Sequence, residues 1–323
     1  MNIKRFDLKN ILKNIKLALP FGHKKAVGIQ MKKDFARVVV LEKEDDHLNL
    51  PIMPFQIPLV ENIEHSGQII RDEFEKRGIF NKNVVVSVPI GSTLFRIIRV
   101  PKTSKKELEE NIEWNIKEDL KALHGETIYG YDVIREEENE YVVLVVIVKK
   151  DILEKTLQIL ENAGLNPNVI DSEGVALINL AEVEKENEEK LKDEDNICIM
   201  HLDLDESYLL FFHHNITVQS LNFNVRNYED MEADDKEEAV NRLINEIDYF
   251  FLTINEPRVI YVSGLASRYP EIEAYMQLKF AARFTLVDLN PAMALNLNIE
   301  IDNKKYLSEY NVPFALAYRG LQK

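Results

Sequence analysis

The sequence predicts a two-lobed α/β protein, and three observations point there. Runs rich in β-branched residues alternate with amphipathic helical stretches along most of the chain. Strands gather into hairpin clusters near residues 26–42 and 196–222, each followed by helices. The polar run Glu182 to Asp195 lies between the two clusters as a solvated linker or helix extension.

Composition narrows the class further. A length of 323 residues suits about two globular units. A hydrophobic share of 46% excludes a disordered chain, and a formal charge of −15 argues against nucleic acid as a partner. The single cysteine, Cys198, allows neither a disulfide framework nor a cysteine zinc site. The longest apolar run, Tyr141 to Val148, has eight residues. That is far short of the ~20 that span a bilayer. No uninterrupted apolar core marks a signal peptide, so the expected compartment is the cytoplasm.

Taken in order, Ala26 to Glu42 reads as two short strands, the second carrying Ala36-Arg37-Val38-Val39-Val40-Leu41. A helix follows near Gly67 to Arg77, stopped by Gly78. Asn83 to Pro89 and Thr93 to Val100 read as strands. Ser104 with Glu107 forms a capping-box pattern that opens a helix from Lys105 to Lys121. Tyr129 to Arg135 and Tyr141 to Val148 are strands joined by an acidic hairpin loop. Asp151 to Asn162 is a helix ended by Gly164, then come a short strand, Asn168 to Ile170, and a helix, Gly174 to Ala181. The second half opens with strands at Asn196 to Leu204, Ser207 to His213 and Ile216 to Asn222. A helix from Ala239 to Leu252, a strand from Arg258 to Ser263, a helix from Pro270 to Lys279 and a strand from Phe284 to Leu286 complete the pattern.

Charge is unevenly placed. Residues 1–25 hold seven basic residues and one acid, Asp7, for a net of +6. Leu8, Ile11, Leu12, Ile15 and Leu19 recur there at helical spacing, with Lys9, Lys13 and Lys16 alongside. A basic amphipathic helix of this kind reads as a docking element for a membrane surface or an acidic partner.

The order of segments resembles the PilM family, the actin-like cytoplasmic component of type IV pilus assembly. The stretches that carry the resemblance are Val86-Ser87-Val88-Pro89, Val100-Pro101 and Glu107-Leu108-Glu109-Glu110-Asn111-Ile112-Glu113-Trp114. Tyr131-Asp132-Val133, Ile159 to Leu165, Ile170 to Ala176, Val262-Ser263-Gly264 and Phe314 to Gly320 extend it. The resemblance implies a two-lobed actin-like (ribonuclease H-like) ATPase fold, with an inserted strand–helix–strand–strand subdomain and a reduced second lobe. Residues 26–84, 165–195 and 312–323 would form the first lobe, 85–164 the inserted interaction subdomain and 196–311 the second lobe. It also implies a partner, the cytoplasmic N-terminal peptide of a PilN-like inner-membrane protein, together with pilus platform and motor ATPase components. Peripheral attachment to the inner membrane, helped by residues 1–20, would follow. A related resemblance, to the GspL cytoplasmic subunit of type II secretion, shares the reduced fold.

Relatives of this fold bind ATP between their lobes, and here the corresponding loops differ. A phosphate cradle needs glycines for close backbone approach and no nearby negative charge. After Gly28, the first loop falls on Gln30-Met31-Lys32-Lys33, where an Asp is replaced by Gln30 and a turn glycine by Lys32. The second falls on Asp203-Leu204-Asp205-Glu206-Ser207, where Asp205 replaces the glycine and three carboxylates would face a triphosphate. The adenosine loop keeps Ser263 and Gly264 but has Leu265 next. Only fifteen residues, 225–239, stand where relatives carry a further subdomain. The expectation is a vestigial pocket holding neither ATP nor Mg, in a pseudo-ATPase with no catalytic residue; an active ATP-binding switch is the alternative.

His201, Asp203 and Asp205 alternate on a strand and would share a face, although a solvated polar face explains them without a metal. Cys198 lies in an apolar run and reads as core. For the partner peptide, the entry to the insert supplies Val88, Leu94, Arg96 and Arg99. Leu94 and Arg96 share one face of their strand, and Phe95, Ile97 and Arg99 the other.

Overall fold

The computed structural model describes residues 23–322 except 46, 124, 188–190, 192–195, 255–256, 281–282, 298 and 300–303. The basic docking helix expected at 1–25 thus lies outside the described residues as far as residue 22, whereas Lys24 and Lys25 belong to the first strand.

Three antiparallel strands open the first lobe: β1 (His23–Met31), β2 (Phe35–Glu44) and β3 (His47–Pro58). Branched side chains pack well on a pleated surface and alternate between its faces. Val27, Ile29, Val38 and Val40 enter one core, and Val39 and Leu41 the other. The sequence reading has no counterpart to β3, a strand that carries Pro51, Pro54 and Pro58. β3 lies at the sheet edge, where proline is tolerated. Helix α1 (Ile63–Lys76) is capped by the Asn62 side chain and buries Ile70 and Phe74. β4 (Asn83–Val88) then runs parallel to β1.

The chain next leaves this sheet. β5 (Thr93–Pro101), α2 (Lys105–Asn115), α3 (Lys117–Ala122), β6 (Thr127–Glu136) and β7 (Glu140–Lys149) build a separate three-stranded sheet of order β5-β7-β6. Leu108, Ile112, Ile116 and Leu120 pack against Val143, Val145 and Ile147 on one of its faces. The capping box at Ser104 forms, but the single helix expected from Lys105 to Lys121 breaks at Ile116. The inserted sheet is narrower than 85–164. Strand β4 pairs in the first sheet, and α4 (Lys150–Asn162) buries Ile159 and Leu160 with Ile70 and Phe74. Their apolar faces have their complement in the first-lobe core rather than in the insert.

β8 (Asn166–Ser172) completes the first sheet, of order β3-β2-β1-β4-β8, and leads into α5 (Glu173–Asn187). The second lobe comprises β9 (Ile197–Leu202), β10 (Ser207–Phe212), β11 (Ile216–Leu221), α6 (Val225–Glu229) and α7 (Ala233–Phe251). It continues through β12 (Val259–Gly264), α8 (Pro270–Phe280), β13 (Thr285–Asp288) and α9 (Pro291–Ala294) to α10 (Asn311–Leu321), which packs back on β1, β2 and β4 of the first lobe. The second sheet has the order β11-β10-β9-β12-β13. Helix α7 begins earlier than its apolar repeat, since Asp234 and Asp235 favour a helix N-terminus. Leu177 and Leu180 of α5 and Phe314 and Leu316 of α10 share one core with Val39, Val85, Ile199 and Leu210, joining the lobes. Leu243, Ile247 and Met276 cover the other face of the second sheet.

Candidate functional site

The lobes meet across a cleft whose polar residues come from β1, β2, the head of α5 and the β9–β10 turn. Gln30 and Arg37 stand opposite each other in the β1–β2 ladder and are 0% and 1% exposed. Arg37 donates two hydrogen bonds to Asp203 of the second lobe, at 2.6 and 2.8 Å, a bidentate pair that takes both carboxylate oxygens. Gln30 Nε2 donates to Glu173 Oε1 at 2.9 Å. Lys32 Nζ donates to Glu173 Oε2 at 3.0 Å and to Glu206 Oε2 at 3.2 Å.

Each charge is held by its neighbours rather than by solvent. Burial opposes the Lys32 ammonium, but Glu173, Asp203 and Glu206 together outweigh it and raise the lysine's pKa. Burial likewise opposes the Asp203 carboxylate. Arg37 above all, with His201 and Lys32, nonetheless holds it well below the usual carboxylate range.

The second-lobe side of the cleft is only partly satisfied: His201 Nε2, Tyr208 OH and Asn311 Oδ1 are buried without a hydrogen-bond partner among the described residues, as is Arg37 Nε opposite them. Ser207 Oγ accepts the Asp203 N–H at 3.2 Å. His201 Nδ1 and Ser263 Oγ share a hydrogen bond of 3.0 Å, and Asn311 Nδ2 donates to Ser263 Oγ and to the Leu289 carbonyl, both at 2.8 Å. Gly264 has φ +83, and a Cβ there would stand 2.2 Å from the Leu202 carbonyl oxygen. A Cβ on Gly28 would stand 2.1 Å from the Pro313 carbonyl oxygen, because α10 lies directly on β1. In this chain both glycines serve close packing of backbone on backbone.

Three placements differ from the sequence reading. Asp205 turns outward, half-exposed, and pairs with Arg226 at 2.7 Å, which also reaches Asp34 of the first lobe at 3.2 Å. The expected row of three carboxylates therefore comes apart. Asp203 is sequestered, Glu206 meets Lys32 and Asp205 faces solvent. Lys33 is exposed. The alternation of His201, Asp203 and Asp205 ends with β9 at Leu202, and among the described residues no group of three His, Cys, Asp or Glu could hold a metal. Cys198 is fully buried, and burial pushes its thiol pKa up.

A groove of about 630 Å³ runs between the inserted sheet and the first lobe. Ile128 to Asp132 and Ile134 of β6, with Leu144, Val146 and Val148 of β7, form one wall. Val175, Glu182, Val183 and Glu186 of α5 and Tyr318, Arg319 and Gln322 at the end of α10 form the other. Val88 lines this groove, but Leu94, Arg96 and Arg99 do not. β6 and the central strand β7 line the groove, and β5 is the opposite edge of their sheet. Leu94 packs under α2 and α3, Arg96 donates to both Asp119 oxygens at 2.6 and 2.8 Å, and exposed Arg99 meets Glu137 and Glu140.

Residues 53–213 match the family model described as type IV pilus assembly protein PilM. The structure also superposes on a chain of a solved PilM-PilN type IV pilus biogenesis complex, with a TM-score of 0.71 at 17% identity, covering 92% of this chain and 99% of that one. This chain is PilM-like. Its fold is the two-lobed actin-like one. A weaker likeness, TM-score 0.44 at 11% identity, covers 74% of this chain and 82% of the cytoplasmic domain of EpsL, an inner-membrane component of the type II secretion system of Vibrio cholerae. Another, TM-score 0.47 at 10% identity, covers 93% of this chain and 90% of the ethanolamine utilization protein EutJ from Carboxydothermus hydrogenoformans. No curated protein sequence matches the chain. No described helix of this PilM-like chain is long and apolar enough to cross a membrane.

Three cleft residues escape a sequence reading. Arg37 carries the one legible signal, a lone cation inside the apolar run Phe35 to Leu41. Glu173 lies within a stretch already noted for its resemblance, but nothing local marks it as buried and charge-paired. Asn311 has no signal at all, since its role depends on α10 returning to the cleft.

Proposed function

We propose that this chain is a cytoplasmic scaffold of a type IV pilus inner-membrane platform, peripherally attached, that holds the N-terminal peptide of a PilN-like membrane protein and does not turn over ATP. One contrast carries the reading: the cleft charges pair with one another, while no described residue fills the apolar groove. A nucleotide would have to displace Arg37 from both oxygens of Asp203 before that carboxylate could hold a metal's water. It would also have to strip Lys32 from two carboxylates, so the residues present do not fit Mg-ATP. The groove, by contrast, offers apolar side chains beside a few polar ones, as peptide sites do.

The test is capture of the full chain on an immobilised synthetic peptide matching the first residues of the PilN-like partner. Ile134→Asp, at a groove residue that is 44% exposed, should leave the melting curve unchanged and weaken capture by about 2 kcal/mol. Arg96→Glu, whose site lies off the groove, should retain capture. Unchanged capture by Ile134→Asp with a normal melting curve would refute the groove assignment.

A further inference from the structure

The groove's charge does not suit an acidic or neutral occupant. Asp132, Glu182 and Glu186 line it, and no ion pair joins them to a cation among the described residues. Its one basic side chain, Arg319, is already engaged with Asp171. Apolar surface rimmed by three carboxylates asks for an amphipathic, cationic segment.

This chain carries such a segment. Residues 1–22 hold Lys4, Arg5, Lys9, Lys13 and Lys16 against a single acid, Asp7, and place Leu8, Ile11, Leu12 and Ile15 at helical spacing. The tether is short. The last turn of α10 sits on the start of β1, where a Cβ on Gly320 would meet the Ala26 Cβ at 2.9 Å. That same turn supplies Arg319 and Gln322 to the groove. Residue 22 therefore joins β1 about 10 Å of strand from this point. An intramolecular occupant on so short a tether has an effective concentration on the order of millimolar.

We infer that residues 4–19 of the same chain occupy the groove, with their lysines against Asp132, Glu182 and Glu186. A partner's peptide must displace them, a consequence that rests on the scaffold reading above. Its apparent affinity then falls in proportion to the fraction of free groove, about tenfold if one groove in ten is free.

Zero-length carbodiimide coupling of the full chain at high dilution tests the contact directly. Peptide mapping should join Lys9, Lys13 or Lys16 to Asp132, Glu182 or Glu186 within single chains. Lys9→Glu/Lys13→Glu/Lys16→Glu should abolish those links, as should about 1 M salt, where the Debye length is about 3 Å. Amide exchange across residues 128–134 should quicken about tenfold in the triple variant while its melting temperature stays unchanged. Links confined to other surfaces, or no links and unchanged exchange, would overturn the inference. So would binding of the wild-type chain to phosphatidylserine-rich vesicles with exchange at 128–134 unaffected by the triple variant, which would make the segment a membrane element. Peptide capture reads the groove separately. Absent links with intact capture sink this inference alone, whereas links present with no capture by wild type or triple variant sink the scaffold reading.

Discussion

Replacing Arg37 by methionine should cost about 3–5 kcal/mol, the usual consequence of orphaning one member of a buried ion pair. The pair is buried on both sides, with side-chain exposures of 1% and 2%, and its shortest contact is 2.6 Å. With an effective dielectric of about 20, two charges at that distance attract by about 6 kcal/mol, most of it set against the cost of desolvation. The variant forfeits the attraction and keeps the desolvated carboxylate, which Lys32 offsets only in part. Urea unfolding of wild type, Arg37→Met and Arg37→Met/Asp203→Asn measures this. The double variant, with no orphaned charge, should recover more than half of the loss. Acid titration supplies an independent sign. Because the folded-state pKa of Asp203 is depressed, the unfolded chain takes up the proton first as pH falls. Its contribution is fully present above the unfolded value near 4 and disappears as pH drops through the lower folded value. Stability of the wild type should therefore fall steeply below about pH 4, and Arg37→Met should flatten that slope. A single-variant cost below about 1 kcal/mol, typical of exposed pairs, would refute the picture of a sealed cleft.

Millimolar Mg-ATP should leave the melting temperature unchanged. A ligand at a hundredfold excess over its Kd would add about 2.7 kcal/mol, so a clear shift with ATP but not AMP would refute the pseudo-ATPase reading. Gly264→Ala should destabilise the chain by at least roughly 1–3 kcal/mol, since φ is +83 and the Leu202 carbonyl blocks the space for a Cβ. A melting temperature equal to wild type would show that the turn relaxes freely.

The architecture was legible where local patterning and burial agree. The valine runs of β2, β4 and β7 and the Ser104 capping box read directly from the sequence, and the alternation of Leu94 and Arg96 against Phe95 and Ile97 is the one observed. β3 was illegible because its three prolines report an edge position rather than the absence of a strand. The site was harder, because its geometry is set by elements distant in sequence. Lys32 and Asp203 were nameable as altered phosphate loops, yet their partners stand 141 and 166 residues away, at Glu173 and Arg37. The groove residues failed for a topological reason. Periodicity gives β5 its two faces, but does not show that α2 and α3 cover the Leu94 face, nor that β6 and β7 supply the groove wall.

Helix α5 links the two halves of the reading. Its first residue, Glu173, is fully buried in the cleft and accepts hydrogen bonds from Gln30, Lys32 and the Ile90 N–H. Farther along, Val175, Glu182, Val183 and Glu186 form a wall of the groove. A helix transmits position along its axis with little compliance, so whatever fixes Glu173 also fixes that wall. Where a nucleotide controls such a cleft, the wall would move with the nucleotide's state. On the proposed reading Lys32 and Arg37 are covalent parts of the chain, always present at unit occupancy, and the groove keeps one shape. Control over partner binding then has to come from what occupies the groove, which is the place assigned above to residues 4–19.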